Sequence, residues 1–304
     1  MEENMKYDNL ISINDISKSE MMEIFELADY SDKLFTEYKL LLSGRVLGTF
    51  FFQSSTRTQF SFQSAFIKLG GSYIGCSDIS QTRCGYPYYE SMDDFAKVIS
   101  NYCDIIVMRS TDEKEISSFI DNATVPIISA GCGKVEHPTQ ALIDLYIIKK
   151  LFGTIDHNTI LIIGTPNQRT INSLLLGLNY WTNIEVLILC QKEYVLKKSV
   201  VEQLTNVTVK YYSSWNDLIE SKRLSTISII YIGEIYHENT PTNEYILSKK
   251  LLTKYFSKEV IVLSPLPRTN ELAKDVDTHA GAKYFLQAQM GLYVRAGLFL
   301  KYFI

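Results

Sequence analysis

Ser55, Thr56, Arg57 and Thr58 stand consecutively and combine three hydroxyls with a guanidinium fork. Hydroxyls donate single hydrogen bonds and arginine donates two in parallel, a donor set suited to a phosphate group. Their setting strengthens that reading. The apolar run Val46 to Phe52 precedes them as a buried strand, and Phe62, Ala65, Phe66 and Leu69 follow at helical spacing up to Gly70-Gly71. In a strand, turn and helix of this kind the first helical N–H groups lack intrahelical partners, and the helix dipole favours an anion there. Taken alone, the same four residues would equally suit a Ser/Thr helix cap beside a surface arginine.

Other chemistry-bearing residues fall at comparable places. Arg109 ends the apolar run Ile105 to Met108. Val125 to Ser129 reads as a strand, after which His137-Pro138-Thr139-Gln140 opens a helix to about Leu151. The pattern restarts after Gly153. Thr159 to Gly164 is a strand whose turn carries Arg169. Helix 170–180, strand 184–190, helix 194–204 and strand 207–211 follow. Strand 227–232 leads to Glu234 and Tyr236, and strand 260–263 leads to Pro265, Leu266 and Arg268. Alternation of this kind predicts an α/β chain of two doubly wound, parallel-sheet domains. A first domain of 1–138 plus 289–304 and a second of 139–288 are expected, with the last helix, from about Ala288 to Phe303, packing back on the first. Ligands of open α/β sheets sit beyond the carboxyl ends of the strands, where all of these residues converge. Residues 77–91 lack a clear period and contain Gly85 and Pro87, a loop long enough to carry function.

Composition excludes several classes. The chain has 304 residues, 46% hydrophobic and 21% charged, with a formal net charge of −4. No long basic block marks a nucleic-acid partner. No apolar run approaches the ~20 residues that span a bilayer, and the acidic start Met1-Glu2-Glu3-Asn4 does not resemble a secretory signal. Five cysteines share no CxxC spacing and read as reduced thiols of a cytoplasmic protein. His137, His157, His237 and His279 show no metal-ligand spacing.

Ser55-Thr56-Arg57-Thr58, His137-Pro138-Thr139-Gln140 and Ser264-Pro265-Leu266-Pro267-Arg268 resemble the three signatures of the aspartate/ornithine carbamoyltransferases, nearly end to end. Residues 271–277 and 284–288 favour the aspartate branch. The resemblance implies carbamoyl phosphate as donor, an amine as acceptor, a homotrimer with sites at subunit boundaries, and no metal or organic cofactor. It implies that Ser55, Thr56, Arg57 and Thr58 hold the phosphate. Thr58, Arg109 and His137 would polarise the carbonyl oxygen. Gln140 and the Pro265-Leu266 backbone would hold the carbamoyl NH2. Arg169 would take the acceptor's α-carboxylate, with Glu234, Tyr236 and Leu266 completing the acceptor side.

Three departures qualify the resemblance. Gln59 stands where the family motif ends in a second arginine. The 77–91 loop contains no lysine, and the positions matching the family's serine and lysine fall near Arg83 and Pro87, among Tyr86, Tyr88 and Tyr89. Arg83 is a candidate replacement cation, since an arginine fork binds phosphate well. Glu234 and Tyr236 occupy the places of the arginine and glutamine that grip aspartate's side-chain carboxylate. An anion in place of a cation repels a dicarboxylic acceptor, which favours an acceptor with a neutral or cationic group, a diamino acid for example. The alternatives are an ordinary aspartate carbamoyltransferase of pyrimidine synthesis with relocated contacts, Arg268 serving instead, or a non-catalytic relative that only binds ligand.

Overall fold

The computed structural model describes residues 8–37, 39–85, 87–235 and 244–304. The chain divides into two compact units, one of Met1–Leu142 with Gly291–Ile304, the other of Ile143–Met290.

In the first unit the order is α1 (Lys18–Asp29), α2 (Ser31–Glu37), β1 (Val46–Phe51), α3 (Thr56–Lys68), β2 (Ser72–Cys76), α4 (Met92–Ile99), β3 (Ile105–Arg109), α5 (Glu113–Asn122), β4 (Ile127–Ser129) and the start of α6 (Pro138–Phe152). The four strands are parallel and ordered β2-β1-β3-β4. β1 and β3 are central and almost wholly buried, which is why both read as continuous apolar runs rather than alternating ones. Phe50, Phe95, Met108 and Phe119 form the core on one side of this sheet. Phe62 and Phe66 of α3 meet Phe299 edge-to-face, at centroid distances of 5.7 and 4.8 Å. Phe299 lies on the last helix, α11 (Tyr284–Phe303), so that helix does pack on the first unit's elements, as its apolar pattern suggested.

The second unit runs through β5 (Thr159–Ile163), α7 (Arg169–Leu178), β6 (Ile184–Leu189), α8 (Lys198–Val201), β7 (Val207–Tyr212), α9 (Trp215–Glu220), β8 (Ile229–Ile232), α10 (Lys249–Tyr255) and β9 (Ile261–Leu263). Its five parallel strands are ordered β7-β6-β5-β8-β9. The helix expected over 194–204 shrinks to the single turn α8. Tertiary partners take the backbone groups its first turn would have used: Leu196 N–H donates to the Tyr211 hydroxyl at 3.2 Å, and the Cys190 thiol donates to Tyr194 C=O at 3.3 Å. Helices α5, α9 and α10 carry too few apolar residues to stand out in the sequence.

A buried polar network holds the second unit together. Gln287 Oε1 accepts from Ser264 N at 2.8 Å, and its Nε2 donates to Asp144 Oδ1 at 2.6 Å. The Tyr231 hydroxyl donates to Asp144 Oδ2 at 2.9 Å. Burial, reinforced by the Asp144 charge, pushes the Tyr231 phenol well above its ordinary pKa, so it remains a donor. No described helix is long and apolar enough to cross a membrane.

Two stability outcomes follow from this packing. Tyr231→Phe withdraws a hydrogen bond from a buried carboxylate and should cost ~1–3 kcal/mol in chemical denaturation. Glu20 caps α1 through Ser17 and pairs with Lys301 Nζ at 2.7 Å; the lysine first, then Ser17, lower its pKa to about 2. A carboxyl depressed on folding stabilises above its unfolded value, and that gain disappears as pH falls toward 2. Glu20→Gln should therefore cost up to ~1 kcal/mol at neutral pH, the pair being partly exposed, and nothing near pH 2; a difference independent of pH would contradict the pairing.

Candidate functional site

Strand order reverses between β1 and β3 in the first sheet and between β5 and β8 in the second. Crevices at such reversals are where doubly wound sheets bind ligands, and each carries candidate residues of the chain.

In the first unit the turn expected to hold phosphate follows β1. Ser55 is the N-cap residue of α3, with φ −156° and ψ 93°, yet its hydroxyl makes no capping hydrogen bond. The simple cap reading of this serine is therefore not what its side chain does. The first N–H groups of α3 remain unclosed by Ser55, no acidic residue lies in the first turn, and Thr56 and Arg57 are exposed beside them. Thr58 is buried. Partial desolvation lowers the Arg57 pKa from 12.5, but a base of that strength keeps its charge at neutral pH.

Arg109 is brought alongside by register. It pairs with Phe51 across β1 and β3, and its C=O accepts from Phe52 N at 2.8 Å. Its guanidinium is oriented by two hydrogen bonds, Nε to Gln53 Oε1 at 3.0 Å and Nη1 to Ala130 O at 3.3 Å. His137, 4% exposed, precedes α6, whose first residue is Pro138; proline suits a first helical position because its missing N–H would be unpaired there. Thr139 Oγ1 lies 3.5 Å from His137 Nδ1, and Gln140 N donates to His137 O at 3.0 Å. The preceding Glu136 anchors this turn by accepting from Ser12 Oγ at 2.6 Å and Ile13 N at 2.9 Å. Seven candidates thus belong to one unit and to adjacent strand ends.

Gln59, where the family pattern has arginine, is 4% exposed. Its amide donates to Cys76 O at 3.2 Å and accepts from Ser77 Oγ at 3.0 Å, tying α3 to the start of the 77–91 loop. Within that loop the exposed Arg83 lies over the Tyr88 ring, 4.2 Å from its centroid.

In the second unit Arg169 is the first residue of α7 and follows the β5 turn. Glu234 follows β8, is exposed, and has both backbone groups engaged by that turn. Tyr236 lies outside the described residues. Leu266 adopts φ 54°, and its N–H donates to Ser264 Oγ at 3.2 Å. Arg268 is committed elsewhere. Its guanidinium grips Asp277 with two hydrogen bonds, Nη2 to Oδ2 at 2.8 Å and Nη1 to Oδ1, and Nη1 also approaches the Tyr284 hydroxyl at 3.4 Å. Arg268, then Tyr284, hold the Asp277 carboxyl down at about 2. Beyond β6 and β7 a cavity of about 410 Å3 includes Tyr194, Tyr211, Tyr212 and Asp217 in its lining. A neighbouring pocket of about 10 Å3, lined by Thr165 and Ile235, shares Cys190, Gln191 and Tyr194 with it.

Sequence reasoning overlooked Gln168, Asp144 and Gln287, buried polar residues that support these turns. The only signal for Gln168 was its place next to Arg169.

Comparison with known proteins also finds two successive domains, with the last helix counted in the second rather than the first. The carbamoyl phosphate-binding domain model of aspartate/ornithine carbamoyltransferases matches residues 8–150, and their Asp/Orn-binding domain model matches residues 156–302. The aspartate carbamoyltransferase catalytic subunit of Methanocaldococcus jannaschii is 37% identical over 303 residues, covering 96% of this chain and 97% of its own. That of Picrophilus torridus is also 37% identical, over 310 residues, covering 97% of each. Among solved structures, the M. jannaschii catalytic subunit superposes with a TM-score of 0.86 at 34% identity, covering 97% of both chains. Aspartate transcarbamoylase of Trypanosoma cruzi, in complex with carbamoyl phosphate, gives a TM-score of 0.88 at 26% identity, covering 97% of this chain and 95% of its own. With both domain models matched in order and these relatives aligned almost end to end, the chain belongs to the aspartate/ornithine carbamoyltransferase family.

Proposed function

We propose that this enzyme moves the carbamoyl group of carbamoyl phosphate to the amino group of an amino-acid-like acceptor other than aspartate. The phosphate rests on the uncapped start of α3 with Ser55, Thr56, Arg57 and Thr58. Arg109, His137 and Thr58 face the carbonyl oxygen, where negative charge grows as the amine attacks; Gln140 holds the carbamoyl NH2. The C–N bond forms, the C–O bond to phosphate breaks, and the amine's proton leaves with the phosphate. No covalent enzyme intermediate is required, so the rate comes from positioning and charge stabilisation, one such donor being worth ~3 kcal/mol of barrier. In the second unit Arg169 takes the acceptor's α-carboxylate, and the Pro265-Leu266 backbone contributes hydrogen-bonding groups.

Glu234 carries the acceptor assignment. A carboxylate beyond β8 repels a second carboxylate on the acceptor and attracts a cationic or neutral polar group. The ion pair of Arg268 with Asp277 supports this, because that arginine already has its counter-charge. A second reading, a true aspartate carbamoyltransferase of pyrimidine synthesis, is favoured by the names of the relatives, which are aspartate enzymes. Phosphate release from carbamoyl phosphate across a panel of amines distinguishes the two. Fast turnover with L-aspartate alone, together with rescue of a pyrimidine auxotroph, would overturn the first reading.

We also infer a cytoplasmic homotrimer. Phe60, Ile67, Tyr73 and Ile74 are exposed large apolar residues on α3 and the edge strand β2, a surface that a second copy would cover. Arg83, in the loop after β2, would contribute at that boundary. Light scattering at the mass of one chain would contradict the assembly.

Arg57→Ala should lower carbamoyl phosphate affinity about 10²-fold or more, since charge-assisted hydrogen bonds of ~1.5–3 kcal/mol each are lost, with the unfolding midpoint unchanged; calorimetry showing ordinary donor affinity would refute the phosphate turn. Glu234→Arg should shift the ratio of kcat/KM values toward aspartate by ~10²-fold; an unchanged ratio would remove Glu234 from the acceptor site.

A further inference from the structure

We propose that Gln168 is a positioning residue that sets the spacing between Arg169 and Glu234 and thereby the acceptor the enzyme selects. The inference rests on the acceptor reading of those two residues. Gln168 is 7% exposed and is the N-cap residue of α7, yet its side chain makes no cap hydrogen bond. It reaches across the strand reversal to β8 instead. There its Oε1 accepts from Glu234 N at 3.1 Å and its Nε2 donates to Glu234 O. Glu234 O also accepts from Thr165 N at 3.0 Å, and Gly233 N donates to Ile163 O at 2.8 Å. Both backbone groups of Glu234 are therefore held by the turn that leads directly into Arg169.

Two glycines permit this approach. Gly164 has φ 142°, and a Cβ there would lie 2.8 Å from Gly233 O. A Cβ on Gly233 would lie 3.0 Å from Ile171 Cδ1 and 3.1 Å from Gln168 Oε1. The residue type matters as well. An amide donates and accepts at once, whereas an ionised glutamate only accepts, and asparagine is one methylene shorter. With the Glu234 backbone fixed, its carboxylate pivots from a defined point relative to the Arg169 guanidinium, which is the separation an acceptor must span.

The test compares Gln168→Ala, Gln168→Glu and Glu234→Gln, with carbamoyl phosphate as donor and L-ornithine, L-lysine and L-aspartate as acceptors. Amide hydrogen exchange of residues 232–235 is followed in parallel, because it reads the clamp whatever the acceptor. Gln168→Ala should raise the acceptor KM about tenfold, with kcat and the donor KM within about threefold, and speed exchange at Glu234 by about tenfold. Gln168→Glu keeps the bond from Glu234 N–H and should fall between parent and alanine variant on both readouts. Unchanged exchange at Glu234, or faster exchange with an unchanged acceptor KM, would overturn the proposal, as would an equal rise in both KM values. If Glu234→Gln also leaves acceptor preference untouched, the acceptor reading itself has failed; a response to Glu234→Gln alone isolates the failure to Gln168.

Discussion

The first half of this fold depends on a helix start that its own serine does not close. Backbone N–H groups at a helix N-terminus need acceptors, and a side-chain oxygen at the N-cap usually supplies one. Ser55 withholds its hydroxyl from that role, and no carboxylate occupies the first turn of α3. The turn thus keeps its donors and its partial positive charge directed outward, an arrangement that an oxyanion completes. The neighbouring strands then decide what else lies near that helix start. Because β3 pairs with β1 in parallel register, Arg109 must end beside Phe51, and because β4 follows β3, the turn to His137 must begin at the same sheet edge.

Most of this was legible in the amino-acid order because buried parallel strands leave unbroken apolar runs. Val46 to Phe52, Ile105 to Met108 and Thr159 to Gly164 announced both sheets, and the polar residues that follow each run marked its carboxyl end. Helix α8 was misjudged because its apolar residues suit a longer helix, while the Tyr211 hydroxyl and the Cys190 thiol compete for its backbone. Such partners lie elsewhere in the chain and have no local signature. The same holds for Arg268. Its sequence context suggested a carboxylate receptor, and the carboxylate it holds turns out to be Asp277, nine residues later.

Charge at the two strand reversals divides along the same lines. The first carries Arg57 and Arg109, two charges of the sign that attracts a phosphate group. The second carries Arg169 and Glu234, one charge of each sign. A cation suits an α-carboxylate; an anion suits a positively charged or hydrogen-bond-donating side chain. Family membership fixes the donor chemistry, whereas acceptor choice depends on a few side chains at one sheet edge, which can change sign without disturbing the strands beneath.

The residues that hold these edges in place are predominantly glutamines, and a physical reason connects them. Gln53 orients Arg109, Gln59 ties α3 to the loop after β2, Gln168 holds the Glu234 backbone, and Gln287 joins Ser264 to Asp144. A primary amide both donates and accepts, so a single side chain can bridge two elements while adding no charge. A carboxylate at 53 would offset the charge of Arg109, and a further arginine at 59 would add a buried cation needing its own partner. Neutral bridges therefore leave the field at each strand reversal to the few charged residues there. At the position of the family arginine, the Gln59 amide supplies a tether between α3 and β2 without adding a charge, and Arg57 remains the exposed cation in the first turn of α3.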